Sequence, residues 1–336
     1  MPLQPLDFKP GIDKESTSYT AEGGWFDGNL VRFQKGFAQK IGGWQKYVLT
    51  SYEGTGRKLH NWVNLAGTKL LGLGTRYKLY IQEGSSFNDV TPIRSTTSAG
   101  DVTFAAVDGS STITATDTAH NAAQNDFVTF SGAASLGGTI IADVLNQEYQ
   151  IASIPTANTY TFTAKDTDGD EVTANSSDSG NGGGSIVGTY QLTVGLDVFV
   201  SGTGFGVDTF STSTWGSTSS LAANNQLRLW SMDNFGEDLV VNPRAGNVYY
   251  WDNTSGLDVR VVALTALSGA NLAPTKGLQV IVSDVDRHIL VLGADPIESG
   301  ARSGSIDPLL IAFSDQENAA DWEPRSDNTA GSLRCS

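Results

Sequence analysis

An acidic segment in the middle of the chain comes closest, by residue type and spacing, to a metal site. Carboxylates stand at the alternate positions Asp166, Asp168 and Asp170, and Ca²⁺ takes oxygen ligands from alternate positions of a loop. A helix-loop-helix Ca²⁺ site also needs Gly at loop position six and Glu at position twelve; this chain has Glu171 and Ser177 there. The spacing therefore favours a solvated hairpin turn, for which Asp-Gly is the expected dipeptide, and leaves metal binding as the weaker alternative.

A second pattern is the pair Ser314-Asp315 followed by Trp322. It resembles the Asp-box turn of sialidase propellers, in which Asp caps a hairpin, Trp packs beneath it, and the role is structural. A glycosidase needs two carboxyl groups flanking the scissile bond as acid and base. The sequence identifies no such pair among its 36 acidic residues, so it does not predict hydrolysis of sugars.

The histidines and the Gly-rich loop also lack catalytic partners. His60, His120 and His288 are the only histidines, and none has a Cys or a second His at metal-ligand spacing. The loop at residues 202–206 lacks the GK[ST] ending of a phosphate-binding loop. The sequence thus predicts no enzyme and no cofactor.

The elements that must position these residues are β-strands. The chain has 336 residues, 38 of them Gly, and short Val, Ile, Thr, Tyr and Phe runs bounded by Gly, Asn and Asp recur throughout. No window shows a convincing 3.6-residue apolar period with capping residues. The predicted fold class is all-β.

Three stretches share one pattern: an apolar run, a polar turn, and a second run with an aromatic or aliphatic pair. They are Leu70–Ile81, Leu239–Trp251 and Val280–Leu292, and each predicts a β-hairpin. Tyr249 and Leu290 are equivalent positions separated by roughly 40 residues, the length of a propeller repeat. Because such a unit cannot bury its own faces, the pattern predicts a β-propeller built by stacking copies.

The predicted organisation has five parts. They are an N-terminal arm at 1–57, propeller repeat 1 at 58–97, an inserted small β-barrel at 98–190, repeat 2 at 191–265, and repeat 3 with the start of a further repeat at 266–336. The further repeat is predicted to begin at Gly331–Leu333. Propellers close with about four to eight blades, so the given chain is expected not to close its own propeller.

The insert is set apart by its charge. It carries eleven acidic residues and one basic residue, Lys165. Its five strand candidates are Val102–Val107, Thr112–Thr116, Phe127–Phe130, Glu148–Ile154 and Thr159–Ala164. The Gly-rich run Gly180–Gly184 predicts a flexible exit linker.

The charge and composition of the chain argue against several classes of function. The formal charge is −15, from 21 basic and 36 acidic residues, which argues against a surface that grips phosphate. The N-terminus lacks the pattern of a signal peptide, and no apolar run approaches the ~20 residues of a membrane span. With Cys335 as the only cysteine, no internal disulfide is possible.

The arm and the repeat endings together resemble the tail nozzle proteins of short-tailed bacteriophages, also described as tail tubular or packaged-DNA stabilisation proteins. The resemblance covers roughly Pro10 to Pro92 and Gly202 to the end. Its residues are Pro10–Ile12, Tyr19, Glu22–Gly28, Val31–Phe33, Lys40–Trp44, Asp89–Pro92, Trp230–Leu239, Asn242–Arg244, Tyr249–Asp252, Asp286–His288, Ser314–Glu317 and Asp321–Pro324.

The resemblance implies a virion structural protein. In that family a β-propeller subunit assembles as a hexameric ring below the portal and adaptor, and the central channel holds and then releases the genome. Expected partners are further copies of the chain, adaptor or portal proteins, and tail fibres or spikes. DNA is expected to pass without specific binding, and the location is the phage tail after synthesis in the host cytoplasm. The docking candidates are Trp25, Arg32, Trp44, Trp251 and Trp322.

The insert resembles a small β-barrel module common in phage virion proteins, although Asn121–Ala123 departs from the Gly, Leu and Ser that usually follow the His. A second hypothesis also stays open: a carbohydrate-binding or carbohydrate-cleaving propeller on a virion or cell surface. Its sugar-stacking platforms would be Trp215, Trp230, Trp251 and Trp322.

Overall fold

A computed structural model describes residues 8–15, 17, 19–20, 22–43, 45–197 and 227–335. The chain divides into two compact units, residues 1–49 and 50–336. The described residues contain 25 strands, one α-helical turn and two short 3-10 helices, which confirms the all-β prediction. No helix in these ranges is long and apolar enough to cross a bilayer.

The strands in chain order are β1 (Val31–Gln34), β2 (Phe37–Lys40), β3 (Gly56–Val63), β4 (Lys69–Thr75), β5 (Leu79–Glu83), β6 (Ser86–Asp89), β7 (Ile93–Thr96), β8 (Thr103–Ala106), β9 (Thr112–Thr116), β10 (Phe127–Ser131), β11 (Glu148–Gln150), β12 (Ser153–Thr156), β13 (Thr159–Thr163), β14 (Asp178–Asn181), β15 (Val187–Gln191), β16 (Trp230–Phe235), β17 (Asp238–Pro243), β18 (Tyr249–Trp251), β19 (Val262–Ala263), β20 (Gln279–Val282), β21 (Ile289–Leu292), β22 (Ile297–Glu298), β23 (Ala301–Arg302), β24 (Leu310–Phe313) and β25 (Gly331–Arg334). The α-helical turn α1 is Ala142–Leu145, and the 3-10 helices are Asn253–Ser255 and Leu264–Ala266.

Among the described residues of the first unit, β1 and β2 form a hairpin. Its two-residue turn places Lys35 at φ 52° and Gly36 at φ 84°. A turn with both central residues at positive φ matches the twist of an antiparallel strand pair. The hairpin is therefore defined by local turn chemistry.

Three four-stranded antiparallel sheets form the blades of the second unit. The first blade sheet has the order β3-β4-β5-β6, the second β16-β17-β18-β19, and the third β20-β21-β24-β25. The three predicted hairpins are present as β4–β5, β17–β18 and β20–β21. Four-stranded antiparallel sheets are the blade units of propellers, so the structure confirms the predicted propeller-like architecture.

The second blade sheet is packed between the other two, and alternation along β17 shows why. Leu239 and Val241 belong to the core shared with the first blade sheet, whereas Val240 belongs to the core shared with the third. Successive strand residues point to opposite faces of a sheet. A continuous apolar run is therefore what this central strand requires.

Two predicted boundaries differ from the structure. β25 pairs with β24 and forms the fourth strand of the third blade sheet, so Gly331–Leu333 completes a blade and does not begin a further repeat. β7 lies within predicted repeat 1 but pairs with β15 in the insert. Both differences arise because strand pairing joins segments far apart in sequence, which local composition does not report.

The insert consists of two antiparallel sheets, β11-β10-β15-β7 and β12-β13-β9-β8-β14, around one apolar core. The strand candidates predicted from composition are present, with Glu148–Ile154 divided between β11 and β12. The prediction of a flexible Gly-rich linker is wrong. β14 pairs with β8, and a Cβ on Gly182 would lie 2.7 Å from the Phe104 ring, so this run is part of the packed insert.

Candidate functional site

The acidic turn in the insert uses its carboxylates locally. Asp166 Oδ1 accepts hydrogen bonds from the backbone amides of Asp168 at 3.0 Å and Asp170 at 2.9 Å. Gly169 stands at φ +92° in the turn. Within the described ranges, no group of three His, Cys, Asp or Glu side chains is gathered to hold a metal ion. The geometry is that of the hairpin turn and gives the weak metal candidate no support.

The Asp315 turn is also structural. Asp315 Oδ1 accepts from the backbone amide of Thr329 at 2.9 Å and from its hydroxyl at 2.7 Å. Hydrogen bonds from Thr329 lower the pKa of Asp315. Trp322 is fully buried, and its indole Nε1 donates to the carbonyl of Ala319 at 2.9 Å. The Asp therefore orders a loop over a core Trp.

Three candidate tryptophans lie in the core: Trp251 and Trp322, which were candidates for docking and for sugar stacking, and Trp230, a candidate for sugar stacking. Trp251 packs edge-on against Trp62 at 6.2 Å between the first and second blade sheets, and Trp230 is buried in the same core. Trp322 belongs to the core between the second and third blade sheets. Docking by Trp251 and Trp322 is therefore a wrong prediction, because buried side chains offer no surface to a partner or a sugar. Trp44 and Trp215 lie outside the described residues.

The arm retains an accessible aromatic cluster. Trp25 is partly exposed and contacts Phe8 at 5.8 Å and Phe33 at 6.1 Å between ring centroids. Arg32 is exposed on β1, where its Nη2 donates to Gln39 Oε1 at 3.4 Å. Large exposed apolar side chains recur through the arm: Phe8, Ile12, Tyr19, Trp25, Phe26, Leu30, Phe37, Ile41, Tyr47 and Leu49.

A partly buried ionic cluster joins the insert to the blades. It consists of Lys78, Asp89, Glu148 and Arg260, called here the insert clamp. Lys78 precedes β5 and is only 4% exposed; its Nζ lies 3.0 Å from Asp89 Oδ2 and also pairs with Glu148 Oε1. Arg260 Nη1 lies 3.2 Å from Asp89 Oδ1, and its Nη2 is 3.9 Å from Glu148 Oε2. The clamp thus connects the first blade sheet, the segment before β19, and the insert.

Further contacts hold the same joint. Gln191 Nε2 donates to the Glu148 carboxylate, and Lys78 Nζ lies 4.5 Å from the ring centroid of Phe127 in the insert. The buried Asp126 accepts a 2.8 Å hydrogen bond from the backbone amide of Val194, which follows β15 at the end of the insert. Because Lys78, Gln191 and Asp126 are buried and each is paired with a partner across the joint, the insert is fixed on the blades there.

Sequence reasoning missed the insert clamp. Asp89 belongs to the Asp89–Pro92 ending of the first repeat, and Lys78 ends a predicted hairpin turn. The sequence therefore predicts the position of both residues in turns. Their partners Glu148 and Arg260 lie far along the chain. No local pattern in a single sequence pairs charges at such separations.

The clamp perturbs the titration of Asp89. Burial by itself raises the pKa of this carboxyl, but the charges of Lys78 and Arg260, with hydrogen bonds from Thr91, bring the pKa below its usual range. A lowered native-state pKa means that ionised Asp89 stabilises the folded protein. This contribution is present above the unfolded-state pKa of about 3.9. It is lost as the pH falls through the pKa that Asp89 has in the folded protein.

Asp89→Asn should therefore show a pH-dependent cost. We expect its unfolding free energy to fall below that of the wild type at pH 7, and this difference to shrink as the pH falls from about 4 towards 3. Urea unfolding followed by tryptophan fluorescence at stepped pH measures the difference. A difference that stays constant over this range would contradict the assigned role of the Asp89 charge.

Two clefts accompany these elements. One, of about 400 Å³, includes Lys58 and Arg244 in its lining. The other, of about 370 Å³, lies beside the insert joint and includes Arg94 and Arg260. Among the described residues, no Asp or Glu lines either cleft. Neither therefore offers the carboxyl pair that glycoside hydrolysis requires.

The comparisons with known proteins give weak structural likeness and no family. No family model and no curated protein matches the chain. Among solved structures, the phage phi92 endosialidase is similar at 13% sequence identity and a TM-score of 0.22; the match covers 80% of this chain and 35% of that one. The chain thus spans about a third of that structure's length, and a likeness at this TM-score carries neither fold nor activity to it.

Proposed function

We propose that this protein is a non-enzymatic structural subunit of a phage virion, forming part of the tail nozzle below the portal and adaptor. Its copies would assemble as a ring, expected to be a hexamer, whose channel retains the packaged genome and then passes it. The resemblance of the arm and repeat endings supports this role. The stacked blade sheets and the joint that fixes the insert are consistent with a rigid structural part.

The observation that carries the proposal is the exposed apolar surface of the arm. Tyr19 is 92% exposed, and Phe37, Tyr47 and Leu49 also lie mostly in solvent. Extended exposed apolar surface on a soluble protein marks an interaction site. Side chains of this kind gain stability when neighbouring subunits cover them.

The net acidic charge is consistent with a channel through which DNA passes without being bound by its phosphates. Acidic residues outnumber basic ones by 36 to 21. Specific and non-specific DNA affinity both depend on Lys and Arg that neutralise phosphates. An acidic subunit would repel the polyanion weakly, so that the genome slides without strong local binding.

The carbohydrate alternative predicts different behaviour. A lasting monomer with measurable affinity for a glycan would favour it and would contradict the nozzle proposal. The burial of Trp230, Trp251 and Trp322 removes three of its four proposed stacking platforms. Native mass spectrometry of the full chain, alone and with portal and adaptor proteins, separates the two: the nozzle proposal requires a ring of several copies.

The arm should be required for that ring. Replacing both Tyr19 and Phe37 with Ser removes two exposed aromatic groups, and we expect the population of rings to fall at least about tenfold, since each interface hot spot is worth roughly 2 kcal/mol or more. The matched control is Val107→Ser, which removes an exposed apolar side chain from the insert. Rings that form equally well in the arm variant would contradict the assigned role of the arm.

A further inference from the structure

The hairpin β1–β2 and its flanks form a basic segment in an otherwise acidic chain. Residues 28–46, called here the basic hairpin, contain no Asp or Glu, whereas the whole chain carries a formal charge of −15. The basic residues of this segment are Arg32, Lys35, Lys40 and Lys46. All four are exposed, and none of them forms an ion pair with a carboxylate of the described residues. The hairpin thus presents positive charge that the described part of the chain leaves unpaired.

One face of the hairpin is open to solvent. Its four side chains are exposed and stand in two cross-strand pairs, Arg32 opposite Gln39 and Gln34 opposite Phe37. Phe37 is 74% exposed. Lys35 lies beside these residues in the turn. An aromatic ring next to an arginine is a combination that is enriched in the cores of protein interfaces.

The other face of the hairpin is packed within the arm. Val31 and Phe33 are partly buried, and the Phe33 ring lies 6.1 Å from the Trp25 ring between centroids. Neither β1 nor β2 pairs with a third strand among the described residues. An isolated two-stranded hairpin is only marginally stable in water. A partner that covers the open face would therefore stabilise the hairpin itself.

The acidic insert carries the complementary charge. Its exposed carboxylates are Asp101, Asp108, Asp168, Asp170 and Glu171, and none of them is paired with a Lys or Arg of the described residues. Three of the five belong to the turn that follows Asp166. Asp166 Oδ1 holds this turn by accepting from two backbone amides, which leaves the side chains of Asp168 and Asp170 in solvent.

We propose that the open face of the basic hairpin binds the acidic turn of the insert in a second copy of this chain. Phe37 would be covered at the centre of the contact, with Arg32 and Lys35 beside Asp168 and Asp170. Such a contact joins unlike surfaces head to tail, the arrangement that generates rings when its rotation closes. The inference rests on the proposed assembly of copies into a ring, and it names the surface that the arm meets there.

The two kinds of group in the contact contribute differently. Exposed ion pairs add little stability one by one. Complementary charge instead sets the choice of partner and the register, because like charges brought together are unfavourable. Burial of Phe37 supplies the apolar contribution.

Duplex DNA is the other polyanion that a basic two-stranded ribbon fits, since the major groove admits one. The arm favours a protein partner, because Phe37 and the other exposed apolar side chains of the arm gain little from phosphate contacts. Affinity for DNA is accordingly an outcome that the test must separate from the contact between copies.

The test is a charge exchange in the full chain, with the population of rings measured by native mass spectrometry. One variant carries Arg32→Glu and Lys35→Glu, and the other carries Asp168→Lys and Asp170→Lys. Each variant alone should form at least about tenfold fewer rings, because charges of the same sign then face each other. An equal mixture of the two should recover rings, since each arm can again meet an insert of opposite charge.

The matched control carries Lys58→Glu and Lys69→Glu, the same change of net charge at two exposed positions of the first blade sheet. It should form rings as the wild type does. Circular dichroism verifies that all variants are folded. Rings that survive both exchanges, or a mixture that fails to recover them, would overturn the proposal.

A second readout is carbodiimide cross-linking, which joins a lysine to a carboxylate in direct contact, in a mixture of ordinary and isotopically labelled wild-type copies. Lys35 should be joined to Asp168 or Asp170 of a different copy. Cross-links confined to single copies would overturn the proposal. So would intact rings of the arm variant together with a loss of its affinity for a short DNA duplex, which would identify DNA as the occupant. Cross-links between copies that form no ring would contradict the tail role alone, whereas rings without this cross-link would contradict this contact alone.

Discussion

Replacing Gly74 with alanine should destabilise the second unit by about 3 kcal/mol, the upper part of the range for overpacking a core. A Cβ at this position would lie 2.5 Å from the Trp230 ring and 2.6 Å from the Met232 methyl group. Trp230 cannot easily withdraw, because its indole Nε1 donates to the carbonyl of Thr75 at 2.7 Å. The expected result is a lower midpoint of urea unfolding followed by tryptophan fluorescence.

Gly72 provides the matched control on the same face of the same strand. A Cβ there would meet Met232 Sδ at 3.4 Å, an ordinary van der Waals distance. Gly72→Ala should therefore change the unfolding free energy by less than about 1 kcal/mol. Equal losses from both substitutions would show that the first and second blade sheets are not packed as closely as the structure has them.

Replacing Lys78 with methionine should cost about 3 kcal/mol of unfolding free energy at pH 7. Methionine keeps most of the aliphatic stem beside Phe127 but leaves Asp89 and Glu148 with Arg260 as the remaining cation of the insert clamp. Removing one partner of a fully buried ion pair typically costs about 3–5 kcal/mol. The lower end of this range applies here, because the Asp89 and Glu148 carboxylates are partly exposed.

Lys69→Met is the control for the clamp, since Lys69 is exposed on β4 and surface charges contribute little. Chemical unfolding at pH 7 measures both variants. A loss for Lys78→Met no larger than that of Lys69→Met would contradict the clamp. Limited proteolysis adds a local readout, because the Lys78 variant should be cleaved faster near the insert joint.

The sequence predicted those parts of the fold that local patterns determine. The three hairpins follow from apolar runs separated by polar turns, and the insert strands from short β-branched and aromatic runs in a segment of distinct charge. The predictions for β25 and β7 are wrong because the strands that pair with them are distant in sequence. Composition predicts a linker for the Gly-rich run before β15 because it does not distinguish glycines that allow close packing from glycines that give flexibility.

The candidate surfaces were harder to predict for a physical reason. Trp25 and Trp251 are both large aromatic residues beside strands, yet one lies at the surface of the arm and the other in a core between two blade sheets. Residue type gives no information on which sheet face will be covered. The insert clamp likewise depends on bringing Lys78 to Glu148, a juxtaposition that tertiary folding alone creates.

The most direct test of the proposed tail role is electron cryo-microscopy of the assembled virion. We predict density for the stacked blade sheets in a ring of copies around the DNA channel below the portal and adaptor, with the arm residues buried between neighbouring tail parts. Density for this chain only at the periphery of the particle, away from the channel and in contact with a bound glycan, would contradict the nozzle role.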